Sequence, residues 1–169
     1  RGIADNLVQR AQAGEEIVYV VPGSPLVAER TVVLLREQAG RAGVPLTILP
    51  GMSFVEVLYT RLGIDPIDGL TIADASDLDQ LPVDLPTGLI VTQVYNEAIA
   101  SDTKLTLMEY LPDEYEVIYV HNLGLPDEAI RRIPLFELDR QPDIDHLTSL
   151  FVPPLRRGES FDLTPLTDV

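Results

Sequence analysis

Two turns hold the residues whose types and order could do chemistry. Pro22-Gly23-Ser24-Pro25 closes the apolar run IVYVV (17–21), and Pro50-Gly51-Met52-Ser53 closes the apolar run LTIL (46–49). A strand that feeds a helix through such a turn presents bare backbone at its carboxyl end, where open α/β sheets take ligands. Gly23 permits a backbone angle or a close approach that a side chain would forbid. With Ser24 as N-cap and Pro25 as first helical residue, the hydroxyl accepts from a free N–H, and proline gives up a donor that has no partner there. In the second turn, Ser53 and Glu56 have the spacing of a capping box. Such a cap contributes about 1 kcal/mol without a Pro-Gly pair, so the pair asks for another reason. Helix N-termini at one sheet edge favour a carboxylate or phosphate, and exposed N–H and C=O groups can read a base or a ribose. Pro-Gly-Ser-Pro taken alone is also simply a good helix start. Neither turn has the glycine spacing of a dinucleotide fold or a P-loop.

The other polar residues say less. His121 ends a strand-like run beside Asn122, so it either touches a ligand or is a strand-end histidine bonded to solvent; His146 reads as structural or exposed. Neither histidine sits in a metal-ligand spacing, which speaks against a metal enzyme. The absence of cysteine removes disulfides and thiolate sites and suits a reducing cytoplasm. Asp113/Glu114 and Asp127/Glu128 read as solvated or capping acids, since adjacency in sequence does not give two carboxylates catalytic geometry. Asp74, Asp77 and Asp79 lack the glycine and terminal glutamate of a calcium loop and read as a hydrated acidic linker. A formal charge of −15, from 27 acidic and 12 basic residues without a basic cluster, argues against nucleic acid as a direct partner. No apolar run reaches membrane-spanning length, so no membrane partner is expected.

The elements that must position the two turns follow from periodicity. At 169 residues and 46% hydrophobic content, the chain suits one domain or two small lobes. Its start, RGIADNLVQRAQAGEE, has no signal-peptide core and no initiator Met, and reads as a helix already under way with Ile3, Leu7 and Ala11 on one face. The expectation is a chain whose natural beginning lies upstream. The runs 17–21 and 46–49 read as strands buried on both faces of a parallel sheet. Helices are expected from about Pro25 to Ala39, with Ala28, Val32, Leu35 and Ala39 on one stripe, and from about Met52 to Leu62, with Met52, Val55, Tyr59 and Leu62. Strand, helix, strand, helix implies right-handed βαβ units. After a short apolar segment at Leu70–Ile72, the acidic stretch ADASDLDQLPVDLP marks a lobe boundary. Residues 1–85 therefore form an N-terminal α/β lobe, 86–152 a C-terminal α/β lobe with a mixed sheet, and 153–169 a linker or tail. Within the second lobe the pattern predicts strands at Leu89–Val94 and Glu116–Val120 and a helix from about Asn96 to Leu111. A short polar helix or turn around Pro126–Arg131 and a strand near Pro134–Leu138 complete it.

The order of strand-PGSPLVAERTVVLL, strand-PGMSFVEVLYTRLGIDP, LIVTQVYN, KLTLMEYLPDEYEVIYVHNLGLPDE, RIPLFELDR and DHLTSLFVPPL closely resembles the tetrapyrrole methylase family. The resemblance runs from about Ile3 to Leu155 and is closest to the branch fused to a MazG-type nucleoside triphosphate pyrophosphohydrolase. It implies a two-lobe α/β fold, usually homodimeric, that binds S-adenosylmethionine between its lobes. By this resemblance the family's G-D-P turn falls on Gly23, Ser24 and Pro25, with Val27 as a further contact, and its P-G-I-[ST] turn on Pro50, Gly51, Met52 and Ser53, followed by Phe54. Cofactor contacts in the second lobe fall at Gln93 and Val94 and at Asn122, Leu123 and Gly124. Two departures stand out. Ser24 replaces an acidic residue of many members, and the family's opening strand and glycine-rich loop are expected upstream of Arg1. The pyrophosphohydrolase segment is expected beyond Val169. Three readings follow: a methyltransferase domain acting on an unidentified small acceptor, tetrapyrrole-like or other, a non-catalytic ligand-binding or regulatory module of a pyrophosphohydrolase fusion, and a structural dimerisation domain. Methyl transfer from a sulfonium needs orientation more than acid–base chemistry, so no residue is named as a catalyst.

Overall fold

The computed structural model describes residues 2–80 and 86–154. Packing divides the chain into two units, residues 1–56 and the chain from Val57 onward. The boundary expected at residue 85 therefore falls elsewhere. The short strand at residues 70–74 explains the difference, because it joins the sheet that the sequence reading had reserved for the second lobe.

Two helices make the core of the first unit. Helix α1 (Gly2–Gln12) places Asp5 in its first turn and Arg10 in its last, which suits the helix dipole. Its buried residues are Ala4 and Val8, so the packed face lies one residue round from the expected Ile3 stripe, and Ile3 is exposed. Helix α2 (Arg30–Ala42) sets Leu35 and Ala39 against them, with Leu7, Leu34, Ala42 and Val44 at the margin. Gly43 ends α2 in the left-handed conformation, with φ 67°, as a C-terminal glycine commonly does.

Helix α2 starts five residues later than the sequence suggested. Glu29, not Ser24, caps it, its carboxylate accepting from the Thr31 N–H at 3.2 Å. Ala28 adopts a left-handed φ of 55°, which stops helical geometry from reaching back to Pro25. Ser24 instead closes a local turn: its hydroxyl accepts from the Leu26 N–H at 3.4 Å and its carbonyl from the Val27 N–H at 3.2 Å.

The parallel sheet expected in the first lobe does not form among the described residues. The runs 17–21 and 46–49 are extended but carry no strand ladder, and Val18, Val20 and Leu49 are 83%, 82% and 74% exposed. An apolar run becomes a buried strand only when neighbours satisfy its N–H and C=O groups, and no described residue does so here.

Helix α3 (Phe54–Leu62) follows the second turn, and the boundary between the units falls within it. Its capping box forms as the spacing predicts. The Ser53 hydroxyl accepts from the Val55 N–H at 3.1 Å, and the Glu56 carboxylate accepts from the Ser53 N–H at 2.9 Å and from the Ser53 hydroxyl. That hydroxyl bond holds the Glu56 carboxyl below its ordinary pKa. Val55, Leu58 and Leu62 are the buried residues, whereas Met52 precedes the helix and is exposed.

The second unit is built on a mixed five-stranded sheet of order β1-β2-β5-β3-β4. The strands are β1 (Leu70–Asp74), β2 (Gly88–Thr92), β3 (Glu116–His121), β4 (Ala129–Pro134) and β5 (Thr148–Val152). Strand β1 pairs parallel with β2, and every other pairing is antiparallel. Leu89, Val91, Val117, Tyr119, Leu150 and Val152 alternate onto one face and meet Leu107, Leu111, Leu135 and Leu138. Helix α4 (Glu97–Met108) covers that face, starting where Asn96 accepts the Ile99 N–H at 2.9 Å.

Two assignments in this unit change. Residues 122–128 form a turn and β4 begins at Ala129, while Leu135–Arg140, read as strand, is a 3-10 helix. Strand β5 was not expected as a strand at all. The tail beyond Pro154 lies outside the described residues, as do positions 81–85 of the acidic stretch.

Candidate functional site

In the first unit the two Pro-Gly turns meet backbone to backbone. A Cβ added to Gly51 would stand 2.6 Å from the Gly23 carbonyl oxygen and 3.4 Å from its carbon. A Cβ on Gly23 would stand 3.5 Å from the Met52 carbonyl oxygen, and Gly23 takes a φ of 76°. Gly23, Ser24, Pro25, Gly51 and Ser53 are thus gathered by contact, and both glycines are exposed. Val27 and Phe54 flank them, each partly buried. The sequence had asked why a cap should need a Pro-Gly pair, and the answer is that only glycine lets the turns come this close.

The second unit repeats the theme at a sheet edge. Strands β2 and β3 both run antiparallel to β5 and so run parallel to each other. Val91 and Tyr119 lie opposite the same residue, Leu150, which brings Gln93 level with His121. The carboxyl ends of the two strands are therefore two strand spacings apart, about 10 Å. Both continue into left-handed residues, Gln93 with φ 65° and Asn122 with φ 51°. With Ala28 these are the non-glycine residues of positive φ in the described chain, and each lies on or beside a predicted contact. Val94 differs from the expectation in one respect. Its side chain is fully buried in the core, which leaves only its backbone for a ligand.

The turn after β3 is stitched internally. Asn122 donates from Nδ2 to Asp127 at 2.6 Å, and its carbonyl accepts from the Leu125 N–H at 2.9 Å. The Gly124 N–H donates to Glu128 Oε2 at 2.6 Å, while Glu128 Oε1 receives Arg61 Nε of α3 at 2.9 Å. Asp127 is exposed, as a solvated acid would be, while Glu128 is partly buried, and both accept bonds from the turn rather than cap a helix. Their roles could not be read from adjacency, since each partner is set by the shape of the turn.

His121 ends β3 but is not bonded to solvent. It is buried, with Nδ1 3.5 Å from Asp143 and Nε2 3.1 Å from Asp145, the latter close but out of line for a hydrogen bond. Asp143 is the centre of this group. Arg131 grips it with two nitrogens at 2.8 and 2.5 Å, and the Tyr119 hydroxyl donates to it at 3.0 Å. The guanidinium holds the Asp143 carboxyl down to about 2, and burial pushes the Tyr119 phenol up to about 12. His146 is exposed, and Asp74 caps the 3-10 turn that follows β1 by accepting from the Ser76 N–H at 2.9 Å.

Comparison with known proteins matches residues 1–139 to the model of the tetrapyrrole (corrin/porphyrin) methylases. An uncharacterised protein, YabN of Bacillus subtilis (strain 168), is 46% identical over 154 residues, which are 91% of this chain and 31% of that protein. The chain thus spans about a third of that relative's length. Among solved structures, a uroporphyrin-III C-methyltransferase from Thermus thermophilus aligns with a TM-score of 0.72 at 21% identity, over 90% of this chain and 70% of that one. The Thermus thermophilus enzyme complexed with S-adenosylhomocysteine aligns at 0.63 and 20% identity, over 89% and 71%. A diphthine synthase aligns at 0.67 and 16% identity, over 91% and 65%. At these identities the structures establish a shared fold.

Proposed function

Since the chain belongs to the tetrapyrrole methylase family, we propose that it is an S-adenosylmethionine-dependent methyltransferase domain acting on a small, tetrapyrrole-like acceptor. The observation that carries this reading is the coincidence of backbone strain with the expected contacts. Left-handed non-glycine residues cost on the order of 1–3 kcal/mol each and persist where function uses them. Here they are Ala28, Gln93 and Asn122.

The residues present fit the cofactor's chemistry. Gly23 and Gly51 offer bare peptide groups, and Val27, Phe54 and Leu123 offer partly buried apolar surface. Ser24 contributes a hydroxyl where many members have a carboxylate, so the first turn contributes no negative charge. When bound, S-adenosylmethionine supplies a methyl group on a positively charged sulfur that is already a good leaving group. The work left to the chain is orientation and exclusion of water, for which well-placed backbone suffices. We read the domain as a cytoplasmic homodimer.

Calorimetric titration of S-adenosylhomocysteine into the intact protein tests the proposal. Micromolar binding that Gly23→Val abolishes is the expected result. Absence of binding by the folded protein overturns it.

A second reading draws on two observations, Ser24 in the first turn and a 46% identical relative of which this chain is only 31%. It makes the domain a regulatory module that binds the same ligand and steers a fused MazG-type nucleoside triphosphate pyrophosphohydrolase. Release of pyrophosphate from nucleoside triphosphates by the intact protein would then change when S-adenosylhomocysteine is added. A rate indifferent to the ligand removes this reading.

A further inference from the structure

The turn after β3 spends several of its polar groups on itself. Asn122 gives its amide to Asp127 and its carbonyl to the Leu125 N–H, and the Glu128 N–H donates to the Leu125 carbonyl at 3.1 Å. The Gly124 N–H is taken by Glu128. Among the described residues, no hydrogen bond engages the N–H or C=O of Leu123. Of the three expected contacts in this turn, Gly124 therefore does not offer its N–H to a ligand, and Leu123 has a whole peptide donor and acceptor to offer.

We propose that Glu128 is a positioning residue for the ligand site, fixing the Asn122–Gly124 turn so that the Leu123 backbone faces the ligand. The inference rests on the cofactor reading given above. Three features of Glu128 support it. Its carboxylate bridges two elements, receiving the Gly124 N–H on one oxygen and Arg61 of α3 on the other. Its side chain is 21% exposed against 50% for Arg61, so Glu128 is the more closely packed of the two partners. The residue it holds, Gly124, has a φ of 80°, which glycine adopts freely, and lies two positions after the left-handed Asn122, so the carboxylate ties down a turn whose backbone would otherwise be free to move. Glu128 is thus the residue that the turn and α3 share.

The test joins a structural readout to a binding readout in the intact protein. Labelling with ¹⁵N-glycine gives an amide signal for Gly124, and a short bond to a carboxylate moves that signal downfield. Glu128→Ala is expected to move it upfield and to weaken S-adenosylhomocysteine binding about tenfold, the loss of one charge-assisted hydrogen bond, while the melting temperature barely changes. Glu128→Gln keeps an acceptor for Gly124 and should bind within about threefold of wild type, as should Arg61→Ala.

Wild-type affinity in Glu128→Ala overturns the proposal and leaves the cofactor reading intact. If Glu128→Ala fails to fold, Glu128→Gln decides: near-normal affinity supports positioning, and a tenfold loss refutes it. Failure of the wild-type protein itself to bind S-adenosylhomocysteine removes the cofactor reading, and this proposal with it.

Discussion

Gly51→Ala is the sharpest test of the two-turn arrangement. The added methyl would stand 2.6 Å from the Gly23 carbonyl oxygen, a backbone atom that no rotamer change can move away. A normal carbon–oxygen contact is about 0.6 Å longer, so the turns must separate by roughly that distance, or the chain must deform elsewhere. Forced overpacking of this kind costs roughly 1–3 kcal/mol. For a chain of this size that lowers the melting temperature by about 3–10 °C, read by calorimetry or circular dichroism. Affinity for S-adenosylhomocysteine should fall at least tenfold with it, because a near-ångström displacement of a binding turn is large for catalytic positioning. Gly40→Ala is the matched control. Gly40 lies within α2 with nothing within 4 Å of its would-be Cβ, so there the same substitution should stabilise the protein by about 0.5–1 kcal/mol. A Gly51→Ala protein with wild-type melting and affinity would refute the claim that close approach is what the second Pro-Gly turn is for.

Other expectations follow from the same geometry. Gln93→Gly should relieve left-handed strain and raise stability by about 0.5 kcal/mol while weakening S-adenosylhomocysteine binding; a gain in both would mean the strain is idle. The depressed carboxyl of Asp143, held by Arg131 at about 2, stabilises the fold above pH 4, and that contribution is lost as pH falls from 4 towards 2. Because Arg131 is 35% exposed, the contribution is nearer 1 than 2 kcal/mol, and Asp143→Asn should flatten this acid limb in denaturant titrations at stepped pH. The phenol of Tyr119 should ionise near pH 12, about two units above an ordinary tyrosine, as a late step in ultraviolet absorbance that Tyr119→Phe removes.

What could be read from the sequence was local, and what could not was set by partners distant along the chain. The capping box at Ser53 and Glu56 formed as its spacing implied, because all of its atoms lie within four residues. Strands β2 and β3 and helix α4 announced themselves through unbroken apolar content or periodicity. The runs 17–21 and 46–49 have the same apolar content as β2, yet they form no ladder among the described residues. Apolar composition permits a buried strand; only a neighbour creates one. Strand β5 failed the opposite way. Its segment TSLFV is short and follows a histidine and a leucine in an irregular pattern, but β2 and β3 on either side supply both hydrogen-bonding edges.

The candidate site divides along the same line. Glycines in Pro-Gly turns are visible in a sequence because their purpose is local backbone freedom, and Gly23 and Gly51 were identified in this way, whereas Gly124 was placed by family resemblance. Gln93 and Asn122 were placed by family resemblance alone; asparagine tolerates left-handed angles, but nothing in the residue type of Gln93 signals one. Glu128 was visible only as one of two adjacent acids. Its significance comes from Arg61, 67 positions earlier, and from a turn whose curvature brings the Gly124 amide to its carboxylate. A residue whose function is to hold another in place has no motif of its own, and a loss of ligand affinity in a folded Glu128→Ala protein is the signature by which such a residue becomes visible.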